Sequence, residues 1–186
     1  PLVVRIPKNF KHLTKYSMNS REDGFVEFID FGPTLLNLAG VKIPDDVDGF
    51  PFMGKESKTR DFTFNYADRF DEKYDFVRWI RKGKYSYQRN FQPFNFDAIQ
   101  NDYRYKQLAF VEWRNLFNQG QLNPIQKQFF EKKAPEALYD VASDPYETNN
   151  LANDPKLKDV LSEMRTIMQS QMQRINDLSF YPESVM

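Results

Sequence analysis

Phe76-Val77-Arg78-Trp79-Ile80-Arg81-Lys82-Gly83-Lys84-Tyr85-Ser86-Tyr87-Gln88-Arg89-Asn90-Phe91 is the stretch whose reading decides the fold of this 186-residue chain. It predicts two short strands, Phe76–Arg81 and Lys84–Asn90, joined at Lys82-Gly83. A tight two-residue turn needs positive φ, which Gly83 adopts without a Cβ clash. A strand's period of two sends Val77 and Trp79 to one face and Phe76, Arg78 and Ile80 to the other. Tyr85 and Tyr87 add a second aromatic row. The charged run Asp68-Arg69-Phe70-Asp71-Glu72-Lys73 stands just before this hairpin. It reads as a loop at the sheet's edge, and as the place where function would sit.

Outward from the hairpin, Asp61–Tyr66 reads as a preceding strand and Glu136–Val141 as a last edge strand. Beyond it, Asp154 suits a helix N-cap and Pro155 the first helical position. Leu157, Val160, Leu161, Met164, Ile167, Met168, Met172 and Ile175 then recur at three- and four-residue steps, the signature of one helix face. That helix should lie across an antiparallel sheet of about four strands. Between the strands, Tyr105–Gln119 predicts a helix with Leu108, Val111, Leu116 and the neighbouring aromatics in its buried stripe and Gly120 as its stop, and Asn123-Pro124 opens a short one through Phe130.

The amino-terminal third is different in character. Leu2–Ile6 reads as a buried strand ended by Pro7, which implies parallel neighbours and so a larger fold. Lys8–Gly24 is a polar loop carrying His12. Phe25–Gly40 has helical spacing, with Pro33 at an N1 position, Gly40 past the end and Asp30 as acceptor for the free amides of the first turn. Val41–Arg60 is turn-rich and reads as a linker. Its Asp45, Asp46 and Asp48 do not match the D-x-[DN]-x-[DN]-G pattern of a calcium loop, so a solvated acidic loop is the reading.

Composition excludes several function classes. Acidic and basic residues balance at 26 each, which argues against nucleic acid as the partner, since phosphate binding needs a basic face. There is no Cys, hence no disulfide, thiolate ligand or Cys nucleophile, and one His rules out a multi-histidine metal site. No stretch approaches the ~20 apolar residues of a membrane span. The 18 Phe and 10 Tyr favour sheet packing. A free-standing carbohydrate-binding module, with Trp79, Tyr85, Tyr87 and Phe91 as a stacking platform, is one reading of them.

Four segments taken in order resemble the C-terminal part of the sulfatase family, whose fold is similar to alkaline phosphatase. Leu2-Val3-Val4-Arg5-Ile6-Pro7 is similar to the family's late "VPLIVRxPG" strand. Val26–Gly40, V-E-F-I-D-F-G-P-T-L-L-N-L-A-G, is similar to "VSxIDLxPTLLxLAG". Gly49-Phe50-Pro51-Phe52 stands where the family has a "GxSF/GxPF" turn. Glu136–Pro145, E-A-L-Y-D-V-A-S-D-P, with Glu147 and Asn150-Leu151-Ala152, is similar to "EELYDLxxDPxExxNLA". Asp68–Glu72, Arg78 and Tyr85–Asn90 further resemble secreted bacterial sulfatases carrying "DRMDExYDxxRxVRDxxYxYxRNxxP".

The resemblance implies an α/β architecture: the end of an alkaline-phosphatase-like catalytic domain over residues 1–54, then a C-terminal subdomain over 55–186 with a four-stranded antiparallel sheet under a long helix. It implies a parent enzyme that hydrolyses sulfate esters of a sulfated sugar, using formylglycine and a divalent cation, calcium. The formylglycine motif C/S-x-P-S/A-R and the cation ligands have no counterpart in these residues, so no catalytic or metal residue is assigned. The chain would pack on the preceding catalytic domain and line the substrate cleft through Asp68, Arg69, Asp71 and Glu72. Arg69 would hold a sulfate or carboxylate, and the carboxylates would accept from sugar hydroxyls. A secreted or periplasmic location follows from the same resemblance. A related phosphodiesterase or phosphatase is the other enzyme class the superfamily implies.

Overall fold

The computed structural model describes residues 2–70, 73–182 and 184. The chain divides into two compact units, Pro1–Thr63 and Phe64–Met186.

In the first unit a 3-10 turn at Phe28–Asp30 runs into helix α1, Phe31–Leu38. Gly40, at φ +71°, ends it, and Val41 N–H returns to the Leu36 carbonyl at 2.9 Å, a left-handed cap that only an unhindered residue forms cheaply. Asp30 differs from its expected role. Its carboxylate does not cap α1 but accepts from Glu27 N–H at 3.0 Å, Phe50 N–H at 3.1 Å and the Arg60 guanidinium, Nε at 2.9 Å. Pro33 sits in the helix's first turn, two places later than expected. The stretch expected as a linker is bound into this unit. Asn37 Nδ2 holds the Met53 carbonyl at 2.8 Å, Thr34 Oγ1 accepts from Phe52 N–H at 3.1 Å, and Gly54 N–H reaches Leu13 O at 3.1 Å. Asp45, Asp46 and Asp48 are exposed.

Leu2–Ile6 is no buried strand. It lies outside every ladder among the described residues, and Val3 is 90% exposed. Branched side chains make a strand only where another strand satisfies the backbone, and nothing described here does so. The segment expected as a polar loop contains a 3-10 helix, Lys8–Leu13, with His12 in its last turn.

The second unit carries the sheet, in the order β1 (Phe62–Phe70), β2 (Lys73–Lys82), β3 (Tyr85–Asn90), β4 (Glu136–Asp140). β2 and β3 pair antiparallel with Lys82 opposite Tyr85, so the turn is Gly83-Lys84, one residue later than expected. Positive φ falls on Gly83 alone, +51°, the glycine position of a type II′ turn. The described part of the charged run is strand and not loop: Asp68 and Arg69 belong to β1 and Lys73 opens β2, with Asp71 and Glu72 outside the described residues. β1 is an edge strand, where charged side chains are tolerated and useful against unwanted pairing. Phe76, although in β2, holds φ +45°, which costs a bulky residue about 1–2 kcal/mol. Its ring is stacked on Phe91 and edge-on to Phe180, contacts that hold it there.

Register places Ile80, Tyr87 and Leu138 in one row across β2, β3 and β4, all buried. Helix α4, Lys158–Arg174, covers this face with Leu161, Met164 and Met168, while Ile175 falls beyond it and is exposed. Each such side chain contributes about 1.5–3 kcal/mol when fully buried. Glu163–Lys82 and Arg165–Glu136 ion pairs fix its direction at the rim. The expected Asp154 cap and Pro155 start are present, in a 3-10 turn that leads into the helix.

Helices α2 (Leu108–Asn118) and α3 (Pro124–Lys127) bring Trp113 and Phe117 onto Phe129 and Phe130 as stacked pairs 4.4 Å apart. The aromatics of the expected stripe are packed, but Leu108 is not part of it, at 85% exposure.

Candidate functional site

Of the four expected site residues, Asp71 and Glu72 lie outside the described residues. Asp68 and Arg69 are adjacent on β1 and therefore point to opposite faces. Asp68 is engaged on both oxygens. Oδ1 accepts from Arg78 Nη1 at 2.7 Å and Oδ2 from Ser179 Oγ at 2.9 Å.

Arg78 is the centre of this cluster and was not foreseen as more than a strand residue. It is 1% exposed, the most complete burial of any charge in the second unit. A buried guanidinium persists only if its donors are paired. Nε and Nη2 bond both oxygens of Asp177 at 2.7 and 2.9 Å, and Nη1 serves Asp68 and the Val77 carbonyl. The rings of Phe76 and Tyr66 lie 5.0 and 5.7 Å from the guanidinium carbon, a cation–π setting. Burial by itself would raise the Asp177 carboxyl pKa. The hydrogen bonds from Arg78 and from Ser179 N–H outweigh it and hold the carboxyl below its ordinary range. The cluster is thus a charged, rigid joint between β1, β2 and the turn after α4.

Asp177 also borders a cavity of about 880 Å³ between the end of α4 and β3–β4. Phe91, Met168, Met172, Phe180 and Tyr181 give it an apolar wall; Arg89, Glu136 and Arg165 give it a charged one. Glu136 accepts from Arg165 through two bonds, Nε at 2.9 Å, and from Tyr87 Oη at 2.8 Å. The Arg165 hydrogen bonds are the main reason its carboxyl is held below the ordinary range. Burial, then the bond to Glu136, pushes the Tyr87 phenol up to about 12.

Trp79, paired with Gln88, faces away from Tyr85 and Tyr87, and Tyr87 is buried. The four rings imagined as one stacking platform therefore do not form a surface. The cluster's one hydroxyl–carboxylate contact, Ser179 Oγ on Asp68 Oδ2, is part of the joint around Arg78. Among the described residues, no three His, Cys, Asp or Glu side chains converge to hold a metal ion. The donor set does not fit the divalent cation that the resemblance implies, and with no Cys in the chain the usual formylglycine precursor is absent too. What these residues can do is bind and position. The cavity had no signal in the sequence, because its walls come from three separate stretches, residues 87–91, 136 and 165–181; "YxYxRNxxP" did contain Arg89 and Tyr87, but as strand alternation only.

No protein-family model matches the chain. An ulvan-active sulfatase of Formosa agariphila is 33% identical over 186 residues, which is 99% of this chain and 30% of that protein. A solved 2-O GAG sulfatase matches 80% of this chain and 25% of its own, at 21% identity and a TM-score of 0.52. A third protein, solved in complex with its substrate D-glucosamine-2-N,6-O-disulfate, matches 81% and 25%, at 16% identity and a TM-score of 0.51. The two structural likenesses bear on the fold. The chain spans about 30% of the length of the curated relative it matches. Aligned over 99% of its length with a sulfatase, and sharing its fold with a quarter of a solved one, the chain is similar throughout to one part of a sulfatase.

Proposed function

We propose that this chain works as the C-terminal portion of an enzyme that hydrolyses sulfate esters on a sulfated carbohydrate, shaping the substrate cleft rather than supplying the reacting groups. The observation that carries this is the alignment over 99% of the chain with an ulvan-active sulfatase. Residues 1–54 would close a catalytic domain and 55–186 would form the subdomain beside it. Calcium and formylglycine, when present, would belong to other residues of the enzyme and would supply charge stabilisation and the nucleophile.

In this reading Arg69 offers a planar fork to a sulfate or carboxylate, and Asp71 and Glu72 accept from sugar hydroxyls. Asp68, fixed by Arg78 and Ser179, keeps lone pairs for a further hydroxyl while it anchors the strand end that carries the other three. A secreted or periplasmic location accords with a polymeric glycan substrate; no helix among the described residues is long and apolar enough to cross a membrane.

The test is release of inorganic sulfate from ulvan by the gene's full-length product, followed by ion chromatography, beside phosphodiester and phosphomonoester controls. Sulfate release that weakens through KM in Arg69→Ala and Glu72→Gln is expected. Phosphate release with sulfate esters untouched would replace this reading by the phosphodiesterase or phosphatase one.

A further inference from the structure

The cavity between α4 and β3–β4 contains a guanidinium whose donors are unused. Arg89 is 40% exposed and stands 3.7 Å from Glu136 Oε2, beyond hydrogen-bond distance; it makes no side-chain hydrogen bond among the described residues. Glu136 cannot serve it fully, because Arg165 and Tyr87 already deliver three hydrogen bonds to that carboxylate. Two guanidiniums therefore face one carboxylate, which leaves one positive charge on this wall. The other acid at the border, Asp177, has both oxygens bonded to Arg78, a guanidinium it shares with Asp68. Opposite the charge lie Phe180 and Tyr181, both more than half exposed, and Phe91, whose ring lies 5.9 Å from the Arg89 guanidinium carbon. The volume of about 880 Å³ falls within the ~300–1,000 Å³ of small-molecule sites.

We propose that this cavity is a binding site for a sulfated saccharide, with Arg89 gripping the sulfate and the Phe91, Phe180 and Tyr181 rings taking the apolar face of the sugar. A sulfate presents planar sets of oxygens that a guanidinium bonds in pairs. An aromatic wall adds apolar contact that a bare anion cannot use, so the site should prefer the sugar sulfate to sulfate alone. Gln169 and Gln173 on α4 offer amide donors and acceptors for ring hydroxyls. The choice of a sugar over another organic anion rests on the sulfatase reading; the open guanidinium and the aromatic wall do not.

The experiment titrates the protein with glucosamine-2-N,6-O-disulfate and, separately, with inorganic sulfate and with glucosamine, read by amide chemical shifts and calorimetry. Saturable binding of the disulfate is expected, with shifts on β3 and the last turns of α4. Arg89→Ala should weaken it roughly 10- to 100-fold, the worth of a charged hydrogen-bonded pair. Arg89→Lys should fall between, and Arg21→Ala, at an exposed residue that does not line the cavity, should leave it unchanged. Gln173→Trp, which fills the cavity from the helix side without touching the sheet, should also abolish binding. Equal affinity in wild type and Arg89→Ala overturns the proposal, as does inorganic sulfate binding as tightly as the disulfate. Binding here with no sulfate release by the full-length enzyme would sink the sulfatase reading and leave this site standing; the reverse result would do the opposite.

Discussion

Arg78 and Asp177 meet through two parallel hydrogen bonds, 2.7 and 2.9 Å long, across 99 positions of chain. Both side chains are nearly sealed from water, at 1% and 7% exposure. Breaking such a pair from one side strands the other charge, at a cost of about 3–5 kcal/mol. Asp177→Ala is therefore expected to lower the unfolding free energy read from a urea melt by that order. Arg78→Met combined with Asp177→Leu should cost much less, because no buried charge is left over. A single-variant loss below about 1 kcal/mol would mean that water reaches the pair.

Acid should attack the same joint. The Asp177 carboxyl titrates below its ordinary 3.8 in the folded chain. A depressed folded pKa gives stability that is complete above the unfolded value and is lost as pH falls through the folded one. Unfolding free energy should thus drop below about pH 4 in the wild type. In Asp177→Asn, already less stable at neutral pH, the drop should be shallower. Parallel curves for the two proteins would contradict the assignment.

The alkaline limb has its own reporter. Tyr87 loses its proton near pH 12 when folded, against 10.0 when unfolded. A raised folded pKa contributes stability that is full below 10.0 and is lost as pH rises toward 12. Phenolate absorbance should show a late-ionising tyrosine that disappears in Tyr87→Phe. That variant should also unfold less steeply between these two values.

Two glycines with positive φ should respond unequally to alanine. At Gly49 a Cβ would stand 2.5 Å from the Ile29 carbonyl oxygen, a backbone atom that cannot step aside. At Gly83 it would meet nothing within 4 Å. Gly83→Ala carries only the conformational cost, about 1 kcal/mol, whereas Gly49→Ala adds a clash and should lose at least roughly 2–3 kcal/mol. Thermal melts of the two variants would rank them, and equal melting points would be the unexpected result.

The sheet and its covering helix were legible because each is written in a local period. Alternation marked β2, β3 and β4, and the three- and four-residue steps from Leu157 to Ile175 marked α4, which ends one residue short of the last of them. What failed was anything that depends on neighbours. Leu2–Ile6 has a strand's composition but no strand to pair with among the described residues. Asp68 and Arg69 look like loop residues by charge, yet an edge strand accommodates them. Asp30 was placed rightly as a helix-start acid but its partners, Phe50 and Arg60, lie 20 and 30 positions on. Arg78 read as one more residue of the alternation. Only the fold reveals that its charge is buried, and that Asp177 is why.

The order of the strands follows the order of the chain, so each strand of the sheet pairs with the one made just before it. During synthesis the sheet can close almost as fast as it emerges. Arg78 has only Asp68 to meet on that schedule, because Asp177, the partner of its Nε and Nη2, is translated 99 residues later. At roughly 5–20 residues per second that is a wait of about 5–20 s. For that interval the nascent sheet must keep the guanidinium hydrated and its α4-facing side uncovered, a window in which a holdase chaperone would find its target.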